Sequence, residues 1–162
     1  MISRSVLALS LLMLSGCGLE RRHVPVYTLG ERAQVGSLIY NVFDTQWSVG
    51  FGEGAAMRVP ANRFLVVRIS IANAGSRDLP VPSMALVDDD GNLIEEVTSG
   101  DRLPNWIGSV RTAHPAEALQ GNVVFDVQPR HYKLKISDED SIKFAYIDLP
   151  LNFNPEGRAG AI

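Results

Sequence analysis

Cysteine is nearly absent from this 162-residue chain, and the single thiol, Cys17, follows an apolar run near the N-terminus. Cys17 therefore has no second cysteine with which to pair. Histidine is also scarce: His23 lies in the N-terminal segment, and His114 and His131 are 17 residues apart. Because no His-x-x-x-His or cysteine-rich spacing joins these residues, the sequence does not predict a zinc site.

Several catalytic and nucleotide-binding motifs are missing as well. The chain contains no Gly-x-Ser-x-Gly motif and no phosphate loop. The glycines of GFGEG, residues 50–54, lack the helix and the Lys-Ser/Thr pair that a phosphate site needs. Serine, histidine and aspartate occur, but nothing in their order indicates a catalytic triad. We therefore expect that the protein is not an enzyme and that it uses no cofactor.

Positive charge is in deficit, and no apolar run is long enough to span a membrane. The chain has 15 Lys and Arg against 18 Asp and Glu. Such a balance argues against a nucleic-acid partner, since proteins that bind nucleic acid carry clustered positive charge. The apolar run Val6–Leu14 is nine residues long, whereas a membrane-spanning helix needs about 20 residues.

The N-terminal segment has the order of charge, apolar core and small residues that is typical of a secretory signal peptide. Arg4 precedes the apolar run, and the run leads into Leu14-Ser15-Gly16-Cys17. These last four residues resemble the lipobox of bacterial lipoproteins. The resemblance implies cleavage after residue 16 and a diacylglyceryl group on the sulfur of Cys17. An ordinary signal peptide with a coincidental cysteine is the alternative.

A lipid on Cys17 would place the protein in the cell envelope, held to the membrane by its acyl chains. Gly18 fits the sorting pattern of an outer-membrane lipoprotein that faces the periplasm, if the source is Gram-negative. We therefore divide the chain into a signal peptide at 1–16, a lipidated cysteine and linker at 17–25, a β-sandwich domain at 26–150 and a tail at 151–162. The linker residues 18–25 span about 27 Å when fully extended, at about 3.4 Å per residue.

The rest of the sequence predicts short strands with turn residues between them, as in an all-β sandwich. Residues 64–73 alternate, with Ile69 and its apolar neighbours on one face and Arg68 on the other. Residues 119–127, 132–137, 37–47 and 84–96 supply further strands. In residues 141–149 we place the apolar side chains Ile142, Phe144 and Tyr146 together on one side of a strand.

Several segments together resemble the DUF4352-type domains of bacterial lipoproteins. Leu29-Gly30-Glu31 with Val35-Gly36 resembles the start of these domains, and FLVVRISIAN with Leu86–Gly91 resembles their central block. ALQGNVVFDV, residues 118–127, resembles their late strand. The chain departs from the family at His114-Pro115-Ala116-Glu117, where a Pro-Gly-Glu turn is usual. The resemblance implies an immunoglobulin-like β-sandwich but no defined activity.

The acidic segment DDDGN, residues 88–92, has two interpretations. Asp88, Asp90 and Asn92 could supply oxygen ligands to calcium. The acids are consecutive, however, and lack the spacing of an EF-hand loop. An Asp-Gly pair between two apolar runs is a strong signal for a β-hairpin turn. We favour the turn and keep calcium as a weaker alternative.

Two loops carry large apolar side chains and are candidate partner contacts. Residues 47–60 include Phe51, and residues 102–115 include Trp106 and Ile107. Aromatic side chains on loops often dominate binding energy, but they also close the ends of sandwiches as core lids. We expect a non-catalytic interaction or accessory module that contacts an envelope protein. A small-ligand or calcium-binding lipoprotein is the alternative.

Overall fold

The structure, a computed structural model, describes residues 23–100 and 102–151. The predictions for the signal peptide, for lipidation of Cys17 and for the tail beyond residue 151 lie outside the described residues. Within them, the single helical element is a 3-10 turn at Gly54–Ala56. No helix in the described ranges has both the length and the apolar character needed to cross a membrane.

Eleven strands run through the described part of the chain, and most of them form two packed sheets. In chain order they are β1 (Val26–Tyr27), β2 (Ala33–Val35), β3 (Leu38–Ser48), β4 (Arg63–Asn73), β5 (Leu79–Val81), β6 (Ala85–Val87), β7 (Leu93–Glu95), β8 (Arg111–Ala113), β9 (Ala118–Val127), β10 (Tyr132–Ser137) and β11 (Phe144–Leu149). The first sheet has the order β1-β11-β10-β6-β7, and the second has the order β2-β3-β4-β9. Strands β5 and β8 form a separate two-stranded ribbon. The predicted all-β sandwich is confirmed.

The core lies between the two sheets and follows the predicted alternation. Ile69 on β4 is fully buried, while Arg68 beside it is exposed. Leu134 and Ile136 on β10 are buried as well, and they alternate with Lys133 and Lys135. Tyr40 crosses the core, and its hydroxyl donates a hydrogen bond to the carbonyl oxygen of Ser137 at 2.7 Å. Burial raises the pKa of this phenol.

The inferred apolar face of the last strand is wrong. Phe144 and Tyr146 do share one side of β11, but Ile142 lies before the strand begins and is 77% exposed, and Phe144 is also exposed. The core is instead filled by the alternate residues Ala145, Ile147 and Leu149. Both sets are apolar, so alternation alone did not determine which set faces the other sheet.

The hairpin predicted at residues 88–92 is confirmed. Strands β6 and β7 pair antiparallel on either side of it, with Val87 opposite Leu93. The amide of Gly91 donates to the carbonyl oxygen of Asp88 at 3.0 Å. Gly91 has φ +85°, a backbone conformation that glycine adopts without a steric penalty.

Candidate functional site

The two loops predicted as partner contacts meet on the outer face of the second sheet. That face carries a second apolar cluster, separate from the main core, that includes the buried residues Phe64, Val66 and Val124. Phe51 from the loop after β3 stacks on Phe64 with ring centroids 5.1 Å apart. Trp106 from the loop before β8 packs against the same cluster. The outer face of this sheet is therefore partly covered by protein.

Backbone hydrogen bonds hold the loop of residues 102–110 against β9, which is an edge strand. The amide of Asn122 donates to the carbonyl oxygen of Asn105 at 2.8 Å, and Ile107 donates back to the Asn122 carbonyl oxygen at 3.2 Å. Gly121 permits this approach, because a Cβ there would overlap the Asn105 carbonyl oxygen. The loop thus occupies part of an edge that would otherwise be open to pairing.

A buried ion pair closes the base of the same loop. Glu96 precedes the loop and Arg111 follows it, and their side chains form a salt bridge with exposures of 2% and 0%. Glu96 also accepts a hydrogen bond from the amide of Met84 at 2.9 Å. Arg111 donates to the carbonyl oxygen of Gly108 within the loop. Burial raises the pKa of Glu96, and the opposing effect of Arg111 is smaller.

A groove of about 720 Å³ lies between this loop and the outer face of the sheet. Trp106 and Ile107 line one side, and Phe43 lines the groove from β3. Arg68 and Gln120 contribute a guanidinium and an amide from β4 and β9. The volume is in the range of ordinary ligand-binding clefts, about 300–1,000 Å³. The second sheet therefore carries a site large enough for a ligand or for part of a partner.

A β-bulge places Phe43 at the groove. The register between β3 and β4 shifts between Val42 and Asp44, so Phe43 is an extra residue in its strand. Its side chain is 46% exposed. The Arg68 guanidinium lies 5.7 Å from the Phe43 ring centroid and forms a 2.6 Å salt bridge with Asp44. An exposed aromatic ring with a cation over it is suited to non-covalent contact.

The groove is lined by groups that are suited to non-covalent contact. Its described lining includes aromatic, aliphatic, amide and guanidinium groups, with no histidine, serine, cysteine or carboxylate side chain. The amides of residues 105, 120 and 122 can both donate and accept hydrogen bonds. Such a lining can hold a partner through stacking and polar contacts.

The structure places the three predicted contact residues differently. Trp106 and Ile107 border the groove, whereas Phe51 lies outside it, against Phe64. Trp106 also acts as a lid: a Cβ on Gly100 would overlap its ring, and its indole N–H is buried with no acceptor among the described residues. Trp106 therefore covers the second apolar cluster and also borders the groove.

Sequence reasoning missed Phe43 and the polar residues around it. Phe43 follows Val42 in an alternating strand, and the bulge that turns it outward has no signature in the local sequence. Arg68 and Gln120 are outward residues of adjacent strands, and they meet only because β4 and β9 pair with Ser70 opposite Gln120. The sole local signal for an exposed Phe43 was its position directly before a charged residue in NVFD.

The Asp88 carboxylate in the hairpin turn accepts hydrogen bonds from other residues of the turn. Asp88 accepts hydrogen bonds from the amides of Asp90 and Asn92 at 3.0 and 2.8 Å, and from the Asn92 side chain at 3.0 Å. These hydrogen bonds, those from Asn92 most of all, lower the pKa of Asp88. Within residues 23–100 and 102–151, no three acidic, histidine or cysteine side chains form a group that could hold a metal ion.

His131 joins this turn to the sheet. Its ring nitrogens lie 2.9 Å from a carboxylate oxygen of Asp89 and 2.8 Å from one of Asp148. Both contacts raise the pKa of His131. The contacts bridge the β6–β7 turn and β11 at one end of the sandwich.

Comparison with known proteins identifies the fold. The profile of DUF4352, described as a domain of unknown function, matches residues 27–146. No curated protein sequence matches the chain. Among solved structures, the chain resembles the yjhA protein of Bacillus subtilis, with a TM-score of 0.61 and 14% identity over 76% of this chain and 99% of that one.

Two further structures share this fold. A Bacillus subtilis protein, ycdA, described as a candidate lipoprotein, has a TM-score of 0.57 and 14% identity; the match covers 76% of this chain but 39% of ycdA. An uncharacterised β-sandwich protein of Clostridium difficile has a TM-score of 0.51 and 11% identity, over 81% of this chain and 97% of that one. At these identities the likeness shows the fold alone.

Proposed function

The chain belongs to the DUF4352 family, a domain of unknown function, and we propose that it is a lipid-anchored envelope protein that acts as a non-catalytic interaction module. The lipobox-like residues Leu14–Cys17 supply the anchor in this proposal. Gly18 fits an outer-membrane location on the periplasmic side in a Gram-negative source. The candidate lipoprotein ycdA, which shares the fold, is consistent with this placement.

The groove beside Trp106 is the observation that carries the interaction role. Phe43 is a large, exposed aromatic side chain on a bulged strand, and Trp106 and Ile107 stand near it on an anchored loop. Rigid aromatic groups lose little entropy on binding and often dominate contact energies. The partner in this proposal is an envelope protein that presents an apolar side chain and a polar group to the groove.

Membrane anchoring is tested by replacing the proposed lipid-bearing residue. Cys17→Ala should leave the domain folded but release it from membranes or stall its processing. Ser15→Ala is the matched control, since it keeps a small residue in the lipobox-like segment. A Cys17→Ala protein that is processed and membrane-bound like the wild type would refute the anchor.

The groove is tested with Phe43→Ala, because Phe43 is exposed and outside both apolar clusters. Capture of a partner by proximity crosslinking should weaken by about 2 kcal/mol or more if Phe43 is a hot spot, with little change in melting temperature. Val59→Ala, also exposed but outside the groove lining, is the control. Unchanged crosslinks with Phe43→Ala would exclude the groove as the contact surface.

A small ligand in the same groove is the second candidate, favoured by its volume of about 720 Å³. Trp106 borders the groove, so a bound ligand should alter tryptophan fluorescence and raise the melting temperature. Phe43→Ala should abolish both effects. Calcium is the less favoured ligand, because Asp88 already accepts hydrogen bonds from Asp90 and Asn92; a micromolar calcium site found by calorimetry would reverse that preference.

A further inference from the structure

Large apolar side chains are exposed at the end of the sandwich where the described chain begins. Val26, Ile142 and Phe144, here called the end patch, are 51%, 77% and 37% exposed. Val26 lies opposite Tyr146 in the sheet, and the Tyr146 ring contacts the Phe144 ring edge-on at 5.7 Å. Tyr146 therefore links Val26 to Phe144 on the outer side of β1 and β11, and Ile142 lies in the turn that precedes β11.

A cavity of about 390 Å³ adjoins the end patch. It is lined by the incoming segment His23–Pro25 on one side and by Ile142, Phe144 and Ala145 on the other. The amide of Tyr146 donates to the carbonyl oxygen of Pro25 at 2.9 Å, which fixes the incoming segment against β11. The point where the chain reaches the domain is thus beside the exposed apolar side chains.

Chain length brings this end of the domain close to the proposed anchor. Cys17 precedes His23 by six residues, and six residues span at most about 20 Å at about 3.4 Å each. An acylated Cys17 would therefore hold His23, which lines the cavity beside the end patch, within about 20 Å of the bilayer. Tethering at such a short distance gives a high effective concentration, so even a weakly binding surface becomes occupied.

We propose that the end patch docks onto the lipid surface beside the anchor and thereby fixes the orientation of the domain. This inference rests on the proposed lipid anchor at Cys17. The occupant is the bilayer because the tether keeps the end patch at the membrane, where exposed aliphatic and aromatic side chains lose contact with water. The opposite end of the sandwich, with the loop of residues 49–62, then points away from the membrane.

Charges of both signs border the end patch, so apolar contact must drive docking. Lys143 is exposed beside it, and the Lys135 ammonium lies 4.9 Å from the Phe144 ring centroid. Asp140 is exposed in the preceding turn, and the carboxylate of Glu139 accepts a hydrogen bond from the amide of Ser37 at 3.1 Å. Docking should therefore occur on zwitterionic as well as anionic lipid and should depend little on salt.

The test uses the full-length protein extracted from membranes with Cys17 in its native state. An acylated Cys17 has no free thiol, so an Ile142→Cys variant carries the single reactive cysteine. This position is labelled with an environment-sensitive fluorophore, and the protein is reconstituted into vesicles of phosphatidylcholine. Val59→Cys is the matched control, since Val59 is 67% exposed in the loop at the opposite end.

We expect the label at position 142 to be quenched by nitroxide-bearing lipid and to be at least about fivefold less accessible to aqueous iodide than the label at position 59, as for a side chain at the interface. Equal iodide access at both positions would overturn the proposal. Shielding from iodide without lipid quenching would also overturn it, because a second copy or another segment of the chain would then cover the end patch.

A second variant links docking to the apolar side chains. With the label on Val26→Cys, the further change Ile142→Asp should abolish lipid quenching, whereas Val59→Asp should not. Unchanged quenching with Ile142→Asp would contradict the role of the end patch.

Failure of the anchor is tested separately, by the reactivity of the Cys17 thiol in the wild-type protein. A reactive Cys17 would refute lipidation and, with it, the tethering on which docking depends, whereas a blocked Cys17 with an iodide-accessible label would refute docking alone.

Discussion

The ion pair between Glu96 and Arg111 offers the sharpest test of how the groove loop is held. Both side chains are buried, with exposures of 2% and 0%. Glu96→Gln can still accept the hydrogen bond from the amide of Met84, but it leaves the Arg111 guanidinium buried without a counter-charge. Breaking a buried pair in this way costs about 3–5 kcal/mol, a large share of the roughly 5–15 kcal/mol that stabilises a domain.

Urea denaturation followed by tryptophan fluorescence measures this loss, with Trp106 in the affected loop as a reporter. For a urea slope of about 2 kcal/mol per molar, the midpoint should fall by about 1.5–2.5 M. Glu95→Gln is the matched control, because Glu95 is exposed; its effect should stay within about 0.5 kcal/mol.

The double variant Glu96→Gln/Arg111→Met separates the unpaired charge from other effects of substitution. Removing both charges should recover most of the stability lost in Glu96→Gln, because no charge then remains unpaired in the interior. Two results would show that the buried ion pair does not clamp the loop. One is a midpoint shift for Glu96→Gln no larger than that for Glu95→Gln; the other is a double variant whose loss equals the sum of the losses measured for Glu96→Gln and for Arg111→Met alone.

Three further predictions follow from the packing and the charges. Gly100→Ala should displace the Trp106 ring and change its emission, since a Cβ would overlap that ring; unchanged emission and melting would contradict the packing. Ile69→Ala should cost about 2–5 kcal/mol in chemical denaturation through lost burial and a cavity, whereas Arg68→Ala, whose salt bridge is exposed, should cost within about 1 kcal/mol. The contacts with Asp89 and Asp148 raise the pKa of His131 above its unfolded value of 6.5. They should therefore add stability that is fully present below pH 6.5 and is lost as the pH rises through the folded pKa. The melting temperature of the wild type should show this loss, whereas that of His131→Asn should not.

The strand pattern of this protein could be predicted locally. Ile69 and its apolar neighbours alternate with polar residues along β4, and a half-buried strand needs no other information to select its inward face. The Asp-Gly turn between β6 and β7 was predictable for a similar reason, because a single residue, Gly91, supplies the positive φ of the turn. The family resemblance carried by residues 27–136 also required only the sequence.

The phase of β11 could not be determined in this way. Ile142, Phe144 and Tyr146 are as apolar as Ala145, Ile147 and Leu149. Pairing with β10 and packing against the second sheet decide which set is buried. The same packing leaves Ile142 and Phe144 exposed in the end patch, so the end patch is a result of tertiary structure.

The sequence by itself determined the strands, most of their inward faces, the β6–β7 turn and the presence of aromatic side chains on two loops. Tertiary structure alone brought those loops together on one face, turned Phe43 outward at a bulge and joined Glu96 to Arg111 across the base of a loop. The physical reason is the range of the interactions. Alternation and turn conformation depend on residues within a few positions of one another. The groove instead depends on tertiary packing that brings together residues more than 50 positions apart, such as Phe43 and Trp106, which both line it.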